Sequence, residues 1–106
     1  MSVYVLVQID ITDPVAYDRY KLLAAPTVGQ YDGRYVVRGG NTTALEGTWD
    51  PGRLVMLEFP TAERAQAWFD SPEYGVARKT RENAANVKML LVEGPSYDPR
   101  QAKGAA

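Results

Sequence analysis

The stretch Arg53-Leu54-Val55-Met56-Leu57-Glu58-Phe59-Pro60 decides how the rest of the chain is read. Pro51-Gly52 precedes it and Pro60 ends it. A short apolar run between such breaks suits a central strand buried on both faces. Glu58 is its one charge with apolar neighbours on either side. An ionised carboxylate without a partner in a dry core costs several kcal/mol or more, so Glu58 must be paired, hydrated in a cavity or protonated.

Outward from this run, the alternation continues. Val3, Val5, Val7, Ile9 and Ile11 fall on one face of a first strand and Tyr4, Leu6, Gln8 and Asp10 on the other. Asp13-Pro14 then opens a helix with Tyr17, Tyr20, Ala24 and Val28 at helical spacing, and Pro26 predicts a bent last turn or an end near Ala25. Tyr31-Asp32-Gly33 is a turn before a second strand over 34–38, with Tyr35 and Val37 on its drier face and Arg34, Val36 and Arg38 on the other. Residues 41–52 form a long connection in which 42–45 is expected to be extended. After Pro60, Thr61 caps a helix carrying Ala65, Trp68 and Phe69, and Ser71-Pro72 stops and restarts it, the restart reaching about Ala84. Residues 87–93 form a last strand with apolar residues on both faces.

Strand, helix, strand, strand, helix, strand is the α+β, ferredoxin-like split βαβ order. It predicts a four-stranded antiparallel sheet with its helices on one face, as a single domain over residues 1–94. Residues 95–106 lack periodicity and are expected to be mobile or to dock on a partner subunit. On the sheet's other face Tyr4, Leu6, Met56 and either Leu90 or Leu91 are too much apolar surface to leave wet. A homodimer packed sheet to sheet, forming a dimeric α/β barrel, would cover them.

Composition narrows the chemistry. With 12 basic and 13 acidic residues and no basic block, nucleic acid is not an expected partner, and no apolar run is long enough to span a membrane. The first residues enter a strand pattern directly, so the protein is expected to be cytoplasmic. The chain has no cysteine and no histidine, which removes disulfides, thiolate chemistry and the commonest metal ligand and general base. No cofactor or metal site is expected, and any catalysis falls to carboxylate, tyrosine, lysine, arginine, serine or threonine side chains.

Arg34-Tyr35-Val36-Val37-Arg38-Gly39-Gly40, Glu46-Gly47-Thr48-Trp49, Glu58-Phe59-Pro60 and Ala67-Trp68-Phe69-Asp70-Ser71-Pro72-Glu73-Tyr74 with Arg78 together resemble the proteins grouped as domain of unknown function 1330. The resemblance spans roughly residues 1–94 and implies the dimeric α/β-barrel fold. It implies no established activity.

The candidate site follows from adding up strand faces. If the mixed faces lie on one side of the sheet, Gln8, Arg38 and Glu58 converge, with Arg38 and Glu58 as catalytic candidates on a small polar or anionic compound. A structural ion pair is the commoner use of such residues. Arg38-Gly39-Gly40 reads as an anion cradle or as a bulged strand exit. Ser71 and Tyr74 stand at a helix start, as ligand donors or as cap and packing. Tyr17 and Tyr20 read as packing, and Trp49 as a lid or a dimer contact. Arg78, Lys79 and Arg81 read as a solvated face, with Arg78 the one expected to turn inward on the strength of the resemblance. Two function classes fit: a small-molecule-binding protein or cofactor-independent enzyme, and a non-catalytic dimeric accessory or interaction module.

Overall fold

A computed structural model describes residues 2–94; the expectation for the tail at 95–106 lies outside the described residues. Strand β1 (Val3–Ile11) is followed by helix α1 (Pro14–Gln30), β2 (Arg34–Arg38), β3 (Arg53–Phe59), α2 (Ala62–Asp70), α3 (Pro72–Thr80) and β4 (Ala85–Glu93). The sheet is four-stranded and antiparallel in the order β2-β3-β1-β4, which is the ferredoxin-like arrangement. β1 and β3 lie at its centre because the 41–52 connection returns the chain beside β1.

Each helix starts where its cap dictates. Asp13 accepts the Ala16 amide at 3.2 Å and Thr61 accepts the Arg64 amide at 3.1 Å. Ser71 closes α2 and opens α3 together, its hydroxyl donating to the Trp68 carbonyl and accepting the Tyr74 amide. Helix α1 does not stop near Ala25 but runs through Pro26 to Gln30. The proline ring deprives the Leu22 carbonyl of its partner, and Leu22 is 77% exposed, so water can satisfy that carbonyl. Helix α3 ends at Thr80, short of Ala84, and residues 42–45 are not a strand.

The helices cover one face of the sheet. Val3, Val5, Val7 and Ile9 of β1 and Val55, Leu57 and Phe59 of β3 are buried there under Tyr17, Val28, Trp68 and Tyr74. Burying each large apolar side chain contributes about 1.5–3 kcal/mol. Trp68 lies at the centre, 4.1 Å from the Tyr74 ring and 5.4 Å from the Phe59 ring, and its indole N–H donates to Thr27 Oγ1. On the other face β3 is not buried: Leu54, Met56 and Glu58 are half-covered, and Leu90 and Val92 of β4 are exposed. Within one chain the central strand is therefore one-sided.

Candidate functional site

Regular pairing of β2 with β3 would set Arg38 on the open face beside Leu54. Instead the register slips between Tyr35 and Val37, so that Val37 opposes Met56 and Arg38 opposes Val55. One extra residue reverses every side chain beyond it. Arg38 turns to the helix side, its guanidinium 4.7 Å from the centre of the Tyr35 ring. Arg53, opposite Ile9 at the start of β3, points the same way. The chain gives it room at Gly39, whose φ of +72° suits glycine and where any Cβ would run into the Arg53 guanidinium.

These two arginines enter a cleft between sheet and helices whose other polar walls are Tyr17, Tyr20 and Lys21 of α1 and Tyr35 of β2, with Val7, Ile9 and Trp68 forming its apolar sides. Its volume is about 30 Å³, room for a few waters or one small polar group. Behind Tyr20, its hydroxyl and that of Tyr74 are 2.8 Å apart, and the Arg81 guanidinium lies 5.4 Å from the Tyr20 ring. Lys21 is paired with Asp18 at 3.1 Å. Arg38, Arg53 and Arg81 have no carboxylate partner among the described residues, and the buried Nε atoms of Arg53 and Arg81 have no hydrogen-bond partner there.

The tyrosines stay neutral beside this charge. Burial pushes the Tyr20 hydroxyl well above its ordinary value of 10.0 and the bonded Tyr74 adds to the rise, while Arg81 opposes it. Tyr17 and Tyr35 are also raised by burial, against the pull of Arg53 on the first and Arg38 on the second. Burial works to lower Arg81, yet the Tyr74 and Tyr20 hydroxyls more than offset it and hold the guanidinium above its ordinary value. The cleft thus presents hydroxyl donors and charged guanidinium groups, a set that accepts an anion.

The trio Gln8, Arg38 and Glu58 does not assemble. Glu58 is on the open face, where Arg34 Nε donates to it at 2.5 Å and the Tyr4 hydroxyl at 3.3 Å. Ser2 first, then Arg34, hold its carboxyl below the usual range. Gln8 shares that face but stands opposite Leu54, four residues from Tyr4 and hence about 13 Å from the Glu58 position. The Gly39 N–H is spent on the Leu54 carbonyl at 2.8 Å, so Gly39-Gly40 acts as a strand exit, with Gly40 outside the cleft lining. Ser71 is occupied in capping. Tyr74 is in the first turn of α3, but its side chain is fully buried against Tyr20 and does not line the cleft, and Arg78 is exposed with its guanidinium 4.3 Å from the centre of the Phe69 ring.

Four residues read as packing or solvated surface, or not read at all, line or back the cleft: Tyr17, Tyr20, Arg53 and Arg81. Arg53 carried a readable signal, since alternation places it on the face of Val55, Leu57 and Phe59. Arg81 carried none.

The family model described as a domain of unknown function (DUF1330) matches residues 2–95. The chain belongs to that family. No curated protein matches it. Among solved structures, this DUF1330 chain is similar to RPA0582, a protein of unknown function from Rhodopseudomonas palustris, with a TM-score of 0.72 and 17% identity over 91% of this chain and 84% of that one. SnoaB, a cofactor-independent oxygenase from Streptomyces nogalater, matches with a TM-score of 0.62 and 11% identity over 92% of this chain and 97% of its own. A dimeric protein of unknown function with a ferredoxin-like fold from Bacteroides fragilis matches with a TM-score of 0.50 and 14% identity over 88% and 96%. At such identities the likeness establishes the fold. No helix among the described residues is long and apolar enough to cross a membrane.

Proposed function

We propose that this DUF1330 protein binds a small anionic metabolite, its negative group held in the cleft by Arg38 and Arg53 with the Tyr17 hydroxyl as a further donor. The observation that carries this reading is Arg53, half-buried with its Nε unpartnered and no carboxylate beside it among the described residues, with the exposed Arg38 lining the same cleft. An anion between the two would give Arg53 the counter-charge that the described residues do not supply, while Arg38 is solvated until the ligand arrives. Neutral tyrosines beside a bound anion also suit its orientation by hydrogen bonding. Titration calorimetry with hexanoate, against hexylamine as the control, tests the reading. Saturable binding of the acid alone is expected; no binding, or equal binding of the amine, would contradict it.

The protein acts, in the same proposal, as a homodimer through the open sheet face. Exposed Leu90 and Val92 and the half-covered Leu6, Leu54 and Met56 support this, as does Trp49, 63% exposed beside Leu54 at the same face.

A further inference from the structure

The cleft is too small for a whole metabolite. At about 30 Å³ it holds a carboxylate or a similar group and little more, so the remainder of any ligand must leave it on one side. Two of its walls, Trp68 and Met89, also wall a second cavity of about 210 Å³ between α2 and β4, lined further by Val5, Ala65, Phe69 and Leu91 with Gln66 at the side. This groove carries no charged side chain among its lining. The two cavities follow the sheet in one direction: β1 supplies Ile9 and Val7 to the first and Val5 to the second, and β4 runs from Met89 to Leu91. From Ile9 to Val5 the strand rise covers about 13 Å.

We infer that the two cavities are the head and body halves of one site, and that the ligand is amphipathic: an anionic head between Arg38 and Arg53 and an apolar body lying past Met89 into the groove under α2. This rests on the anion-binding reading above. The partition is unequal in stiffness. Trp68 is fixed by its N–H bond to Thr27 and by stacking on Tyr74, whereas Met89 is unbranched and half-buried on an edge strand, with rotatable bonds to swing aside. Charge complementarity sets the polarity of the ligand, since only the end near Gly39 offers cations to it.

The test is a calorimetric series of linear carboxylates from butanoate to decanoate on the full chain, repeated with Leu91→Gln and with Met89→Ile, whose branched side chain cannot swing as freely. Affinity is expected to rise about fourfold for each added methylene until the groove is filled. Both variants should flatten that rise, and Leu91→Gln, which lies outside the head cleft, should leave butanoate binding within about twofold of the parent, which also shows that the head site is still folded. Butanoate binding with no gain along the series would overturn the amphipathic ligand and leave the anion site standing. A rise unchanged in both variants would overturn it too, because the body then lies elsewhere. Failure of every acid to bind would remove the anion site and this inference together.

Discussion

On the open face of the sheet, Glu58 has an arginine, a tyrosine and a serine around it. On the helix-covered face, Arg38 and Arg53 have aromatic rings and tyrosine hydroxyls, and no carboxylate among the described residues. Both faces belong to the same four strands, and they differ in what they leave unsatisfied. On the open face Glu58 is paired while apolar area is left uncovered, as the proposed surface for another copy would leave it. The covered face is satisfied in apolar packing and unsatisfied in charge, as a surface for a ligand would be.

The largest effect should come from removing the wall common to both cavities and the core. Trp68→Ala should cost about 3–5 kcal/mol in denaturant unfolding. A much smaller loss would mean that the covered face is less tightly packed than its burial implies. Gly39→Ala comes next. A left-handed backbone costs a residue with a Cβ about 1–2 kcal/mol, and the added methyl also displaces the Arg53 guanidinium, so hexanoate binding should weaken along with stability. Stability loss without any change in binding would separate Arg53 from the site.

On the open face, Leu90→Arg should abolish self-association in sedimentation experiments. The unfolding free energy of the dilute monomer should stay within about 0.5 kcal/mol of the parent. An unchanged oligomeric state would put the dimer contact elsewhere.

Titration separates the faces by sign. Glu58 has a folded pKa below its unfolded value, so its contribution is present above the unfolded pKa and is lost as pH falls through the folded one. Glu58→Gln should therefore flatten the acid limb of a stability profile. Tyr17 and Tyr20 have folded values above 10.0, so their contribution is complete below that pH and declines as pH rises from it. Phenolate absorbance of these two should emerge only with alkaline unfolding; their ionisation in the folded protein would contradict the cleft's closure.

The fold was legible because alternation and punctuation agree. Val3 to Ile9 marks its buried face residue by residue, and Asp13-Pro14, Thr61 and Ser71-Pro72 mark the helix starts. Pro26 misled, since an exposed carbonyl lets a helix pass through proline. The site was legible only in part. Arg38 was recognised as important, but Tyr35-Val36-Val37 contains no glycine or proline to announce the bulge that turns it to the other face. Glu58 drew attention as a buried charge and proved to be half-covered at a face that a monomer leaves open. Arg81 lies beyond the end of α3, and only the packing of that turn against Tyr20 brings it in.

The central claim is that the charge in the cleft serves a ligand and not the fold. Arg53→Met keeps much of the side-chain volume and removes the guanidinium, and its stability and hexanoate affinity should be measured together. The account predicts unfolding within about 0.5 kcal/mol of the parent, or greater stability, because no buried partner is orphaned. With it should come a loss of roughly tenfold or more in affinity, as expected for a charged hydrogen bond worth about 1.5–3 kcal/mol. A variant destabilised by about 3 kcal/mol or more, with anion binding intact, would make Arg53 a structural residue and contradict the account.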